Sequence, residues 1–133
     1  MIVSEACIAE VVEDAGRQMH DPKYITGRVD RLMGEQPAVS RYVVAHQHEL
    51  GVEGVVSVLF HVSIIHESVV RAKGRQPDRL SYAELDTAAH ATTTAEALAR
   101  TEPNIAAYIA SNVENAVARD LLAQLGAALV SLG

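Results

Sequence analysis

Apolar residues recur along almost the whole chain at the spacing of an α-helix, about 3.6 residues. No segment combines strict alternation with β-branched residues and hairpin turns, the pattern of paired strands. The spacing therefore predicts an all-α fold. A length of 133 residues is typical of one domain with one sizeable core, so we expect a single helical domain over residues 1–133.

The most apolar predicted helix covers about Val52–Lys73 and carries aliphatic residues nearly all round. Such a helix is usually buried at the centre of a bundle. The core residues expected on it are Val55, Val56, Leu59 and Val62. Its most apolar run, residues 55–65, contains polar residues and is shorter than the roughly 20 residues that span a bilayer. We therefore expect no membrane crossing.

Proline, glycine and polar residues divide the remaining chain into further helices. The predicted helices are about Val3–Met19, 21–33, 37–51, 81–100 and a last stretch from Pro103. Ser81 and Glu84 fit a capping box, and Gly34 and Gly74 suit helix C-termini. The first helix is expected to bury Ile8, Val12, Ala15 and Met19. With or without a break between Asn112 and Asn115, this gives a bundle of six to seven helices.

One phrase occurs twice, as QPAVSRYV at residues 36–43 and as EPNIAAYI at residues 102–109. Both fit Pro-x-(Val/Ile)-x-x-Tyr-(Val/Ile), at an offset of 66 residues. Proline suits the first turn of a helix, and the aliphatic and tyrosine residues after it share one face. The phrase predicts two pseudo-repeated halves, residues 23–67 and 89–133. The alternative is coincidence, since amphipathic helices that begin with proline are common.

Matched apolar positions support the repeat more than identities do. The identical pairs at this offset are Thr26/Thr92, Leu32/Leu98, Pro37/Pro103, Tyr42/Tyr108 and Leu59/Leu125. We expect Tyr42 and Tyr108 to occupy equivalent, mostly buried positions, with each hydroxyl near a polar partner.

The first phrase also resembles a block in small bacterial helical proteins of no known activity. In that group, Gln/Asn-Pro-x-aliphatic-x-x-Tyr precedes a long apolar helix, and the resemblance covers about residues 24–70. It implies a helical fold and no activity. His61 and His66 are not part of the pattern.

Histidines concentrate in the first half, at His46, His48, His61 and His66. Imidazole is the commonest protein ligand for zinc, copper and iron. However, His61 and His66 are five residues apart, about 140° round a helix, and no Glu-x-x-His or His-Glu-x-x-His motif occurs. We therefore predict no metal and no cofactor. The candidate ligand-binding residues are His46, His61, His66 and Tyr42.

The structural interpretation of His66 is that of a core histidine. It shares an apolar stripe with Leu59, Val62 and Val69, so we expect it to be buried, mostly neutral and bonded to a hydroxyl or carbonyl. His90 follows Asp86 by four residues and is expected to form a surface pair with it.

Composition and motifs exclude several function classes. A net charge of −6 disfavours nucleic acid and anionic membranes, which leaves a DNA- or RNA-associated regulator as the weakest hypothesis. The single cysteine, Cys7, and the absence of a secretory signal favour a cytoplasmic protein. There is no Gly-rich phosphate loop, Gly-x-Ser-x-Gly or Cys-x-x-Cys motif. We therefore predict no enzyme activity and no catalytic residue.

The functional expectation is a non-catalytic structural or interaction module. Self-association as a homodimer is expected, because the chain is rich in small and aliphatic residues that permit close approach. The alternative is a histidine-bearing bundle that binds a small molecule or metal through His46, His61 and His66.

Overall fold

In a computed structural model of the chain, residues 2–89 and 94–131 are described, and they form helices and no strand. The eight helices of this part are α1 Glu5–Gln18, α2 Tyr24–Glu35, α3 Pro37–Val44, α4 Gln47–Lys73, α5 Tyr82–Ala89, α6 Thr94–Thr101, α7 Pro103–Asn112 and α8 Ala116–Ser131. The all-α prediction is confirmed. The count exceeds the predicted six to seven because α5 and α6 occupy the one helix expected over residues 81–100. The continuity of that helix, and the pair expected at His90, fall on residues 90–93, outside the described part.

Two long helices, α4 and α8, pack against each other at the centre. Helices α1, α2 and α3 contact α4, and helices α5, α6 and α7 contact α8. Outer helices of the two groups also contact each other, because α1 packs against α7 and α5 packs against α3. Each outer group thus packs on one central helix, and its first helix also packs on a helix of the other group.

The core prediction for α4 is right for three residues and wrong for one. Val55, Leu59 and Val62 are buried, whereas Val56 is 46% exposed. Val56 lies one turn after Val52, which is 67% exposed, so the two share a side of α4 that faces outward. In its first turns α4 therefore buries only one side, although its sequence is apolar on nearly all sides.

Helix α1 is shorter than predicted and buries a different face. It begins at Glu5 because the Ser4 hydroxyl accepts a hydrogen bond from the Cys7 N–H at 3.1 Å, which caps the helix. The buried residues are Ile8, Val11 and Ala15. The expectation for Val12 and Met19 is wrong, since both are exposed. Both faces of α1 carry apolar residues, so periodicity alone does not choose between them.

The boundaries of the second and third helices also differ from prediction. Residues 21–23 form a turn in which the Asp21 carboxylate accepts the Lys23 N–H at 2.9 Å, and α2 starts only at Tyr24. Gly34 does not end α2, which continues to Glu35. Pro37 opens α3 as predicted, but α3 ends at Val44.

Glycine and capping predictions elsewhere are confirmed. Gly74 ends α4 in the left-handed region at φ 72°, and its N–H bonds to the Val70 carbonyl at 2.9 Å. The Ser81 N–H donates to the Glu84 carboxylate at 3.0 Å, and the Glu84 N–H donates to the Ser81 hydroxyl at 3.1 Å. Gly51, at φ 72° and ψ 170°, breaks the helical path inside α4.

By length and composition alone, α4 could cross a membrane, which the sequence argument had excluded. Its most apolar 18-residue window has a mean hydropathy of 1.4, and 56% of that window is buried against the rest of the protein. The central helix of a soluble bundle satisfies the same two criteria, so this finding is weak support for a span.

Candidate functional site

The predicted site residues separate into different surroundings. Tyr42 is buried in α3, and its hydroxyl accepts a hydrogen bond from the Gln124 amide of α8 at 2.8 Å. His46 follows α3, and its Nδ1 bonds to the Tyr42 carbonyl at 2.9 Å. The two rings are tilted, with centroids 5.2 Å apart. His46 therefore caps the end of α3 through Nδ1, and Tyr42 connects α3 to α8.

His61 lies on α4 and pairs with Tyr108, a residue of the second phrase. Its Nδ1 is 2.7 Å from the Tyr108 hydroxyl of α7. Burial lowers the pKa of His61 and raises that of Tyr108 well above its usual range, so both groups are neutral near neutral pH. Tyr108 on α7 thus reaches α4, just as Tyr42 on α3 reaches α8.

His66 is 4% exposed and lies beside a carboxylate, not the expected hydroxyl or carbonyl. Its Nδ1 is 3.5 Å from Oε2 of Glu35, at the end of α2. Its Nε2 is buried and has no hydrogen-bond partner among the described residues. Burial lowers the pKa of His66, although the carboxylates of Glu35 and Glu67 oppose this. The predictions of burial and of a neutral ring are supported.

Around His66 lies a small recess between α2 and α4. Its lining consists of Arg28, Arg31, Leu32, Glu35, Ser63, His66 and Glu67. Arg31 donates to Glu35 at 3.1 Å, and Arg28 donates to the Ser63 carbonyl at 3.2 Å. The volume is about 20 Å³, which has room for about one water molecule. The paired charges and this size suit a structural polar cluster better than a substrate site.

The histidines do not converge on a metal. Among residues 2–89 and 94–131, no three histidine, cysteine, aspartate or glutamate side chains are placed to hold a metal ion. His46, His61 and His66 instead face three different partners, namely the Tyr42 carbonyl, the Tyr108 hydroxyl and Glu35.

The structure shows an exposed apolar patch on α4 that was not predicted from the sequence. Val52 and Val56 are exposed, Phe60 is partly exposed one turn further, and Val44 at the end of α3 is 47% exposed. We call Val44, Val52, Val56 and Phe60 the α4 stripe. A concave surface of about 580 Å³, lined partly by Val44 and Val52, adjoins it. Apolar residues on all sides of α4 predict complete burial, and this pattern alone does not show which of them are exposed.

Two buried polar residues were also not predicted from the sequence. Gln36 and Glu102 precede the prolines of the two phrases, and they are 0% and 1% exposed. Their backbone angles nearly coincide, at φ −135°, ψ 69° and φ −136°, ψ 68°. Each N–H bonds to the carbonyl four residues earlier at 2.7 Å, in Leu32 and Leu98. The repeated Gln-Pro and Glu-Pro dipeptides were the available signal.

Comparisons with protein-family models, with curated proteins and with solved structures gave no match.

Proposed function

We propose that this chain is a non-catalytic helical interaction module that self-associates as a cytoplasmic homodimer through the α4 stripe. The observation that carries the proposal is the outward row of Val52, Val56 and Phe60, at successive turns of the most apolar helix. Contiguous exposed apolar surface is a common feature of interaction sites.

A second copy is the proposed partner because the stripe can meet itself across a twofold axis. In such a dimer the same patch is used on both subunits, so apolar side chains face apolar side chains. Glu53 is the one charged residue between Val52 and Phe60, and charge is depleted at interface centres.

The proposal includes one helical domain made of two related halves. Support comes from the contacts that mirror each other around α4 and α8, and from the matching backbone angles at Gln36 and Glu102. Tyr42 and Tyr108 are both buried and each reaches the opposite central helix. Burial departs from the pattern along the α4 stripe, because Ala118 and Leu122 are buried whereas their counterparts Val52 and Val56 are exposed.

Sedimentation velocity at several concentrations, with a charge placed in the stripe, tests the self-association. We expect a dimer for the wild-type chain and a monomer for Val56→Lys, since an ammonium group would be desolvated at the interface. Val12→Lys on α1 is the matched control, because Val12 is 41% exposed against 46% for Val56. A monomeric wild-type chain would refute the proposal, and equal effects of the two variants would place the interface elsewhere.

Ligand binding at the His66 recess is the second candidate function. The observation that favours it is the buried Nε2 without a described partner, since such an atom costs free energy unless something pairs with it. Calorimetric titration with Zn²⁺, together with metal analysis of untagged protein, tests the metal form of this candidate. Heat that is lost in His66→Leu but kept in the exposed control His48→Leu would support it.

A further inference from the structure

The N-terminal arm, residues 2–18, is held at its extended end by a two-point clamp. Val3 is fully buried, and its N–H donates to Oε2 of Glu102 at 2.7 Å. Its carbonyl accepts from the Asn104 amide at 3.0 Å. Both backbone groups of one residue are thus bound by side chains about a hundred positions further along the chain.

The first phrase forms the same kind of clamp on a different segment. Oε1 of Gln36 accepts the Leu80 N–H at 3.0 Å, and its amide donates to the Asp78 carbonyl at 3.0 Å. Leu80 leads into α5, as Val3 leads into α1. Gln36 supplies both donor and acceptor, whereas Glu102 accepts and Asn104 donates. Each phrase therefore receives an extended segment and the helix that follows it.

In both cases the clamped helix is shared between the two groups of helices. Helix α1 packs on α4 and also on α7, and α5 packs on α8 and also on α3. Within one chain, α1 and α5 therefore each already pack against helices of both groups.

The arm is joined to the rest of the chain by a linker that carries few contacts. All five residues of 19–23 are exposed, and they can extend over about 17 Å. On the body side the arm is fastened near the C-terminal end of α4, where Arg71 bonds to Glu10 and Asp14 at 3.0 Å. The α4 residues of the stripe, Val52, Val56 and Phe60, lie in the first half of that helix, 11 or more residues before Arg71.

We propose that the two copies of the dimer exchange their N-terminal arms, so that Val3 of each copy is bound by Glu102 and Asn104 of the other. This inference rests on the proposed self-association. The exchange keeps every arm contact and changes only the path of the 19–23 linker, which makes it an inexpensive route to a dimer. The clamp determines which residue of the arm is bound, because Glu102 and Asn104 bind the backbone N–H and carbonyl of Val3, whose side chain is buried.

Complementation between two defective full-length chains tests the exchange. Val3→Pro removes the N–H that Glu102 binds, and Glu102→Leu removes the acceptor. In an exchanged dimer, a mixture of the two pairs one intact arm with one intact clamp and confines both defects to the other site. After unfolding and joint refolding, we expect heterodimers above the statistical half by native mass spectrometry. We also expect a melting temperature above that of either chain alone.

The other clamp supplies the matched control. Leu80→Pro and Gln36→Leu impair an equivalent contact whose two sides both lie outside the exchanged segment, residues 2–18, so their mixture should show no rescue. A dimeric wild type without rescue in the first mixture would overturn the exchange alone. A monomeric wild type would overturn both the exchange and the proposed self-association.

Cross-linking provides a second measurement if these variants do not fold. Glu5→Cys on the arm and Ala107→Cys on α7 are placed in separate chains that also carry Cys7→Ser, and a short bis-maleimide is added after joint refolding. Both residues are exposed and line the same groove between α1 and α7, and neither belongs to the clamp. A covalent heterodimer is expected only when an arm lies on the other copy, and its absence from a non-covalent dimer overturns the exchange.

Discussion

Replacing Gln36 by leucine is the sharpest test of the clamp architecture. Leucine has a similar size but leaves two backbone groups without their partner, the Leu80 N–H and the Asp78 carbonyl. The N–H lies in a buried bond, and an unpaired group of that kind costs about 1–3 kcal/mol. The carbonyl is only partly buried and adds roughly 1 kcal/mol. We therefore expect a loss of about 2–4 kcal/mol in the free energy of unfolding.

Urea unfolding followed by far-ultraviolet circular dichroism measures this loss. With a denaturant slope of about 1–3 kcal/mol per molar, typical of small proteins, the midpoint should fall by roughly 0.7–4 M. Gln18→Leu, at the exposed end of α1, should change stability by less than about 0.5 kcal/mol. Both variants need melts at two protein concentrations, because dimerisation would add to apparent stability. A loss for Gln36→Leu as small as that of the control would refute the clamp argument.

Three further predictions concern single residues. Leu59→Ala should cost about 2–5 kcal/mol in chemical unfolding and Val56→Ala less than about 1 kcal/mol in monomeric protein, and equal costs would contradict the one-sided burial of α4. Because burial lowers the folded pKa of His66, the unfolded chain takes up the proton more readily, so stability should fall as pH drops through about 6.5 toward the folded pKa. His66→Leu should weaken that fall in melts at about pH 7.5 and 5.5, and an unchanged pH dependence would show that the ring does not contribute to it. Gly51→Ala should cost about 1–3 kcal/mol, because its angles are nearly restricted to glycine, whereas Gly16→Ala inside α1 should stabilise by roughly 0.5–1 kcal/mol; thermal melts decide, and equal effects would refute the strain argument.

Local sequence rules predicted those features of the fold that depend on neighbouring residues. The Ser81–Glu84 capping box, the C-terminal Gly74 and the proline starts of α3 and α7 each follow from interactions within one helical turn. The predicted bounds of the second helix, residue 21 and Gly34, differ from the observed Tyr24 and Glu35, because the residues at these positions are also compatible with the neighbouring positions that the chain uses.

Burial on ambiguous helices could not be predicted in the same way. Val12 and Val56 belong to helices with apolar residues on more than one side, so the packing of distant elements decides which face is covered. The surroundings of His66 followed only in part. Its stripe predicted burial, but its carboxylate neighbour, Glu35, comes from another helix, 31 positions away (66 − 35). Periodicity carries no information on such a partner.

The two clamps differ in when they can form during synthesis. The Gln36–Leu80 contact spans 44 residues, whereas the Val3–Glu102 contact spans 99, so the first can close while the second still lacks its receiving side chain. The longer loop adds only about 0.7 kcal/mol of closure entropy, so the delay is set by the ribosome more than by thermodynamics. Until α7 emerges from the ribosome, Glu102 and Asn104 are not available to bind the extended segment of the arm. On a polysome, the nearest completed Glu102 belongs to the chain ahead.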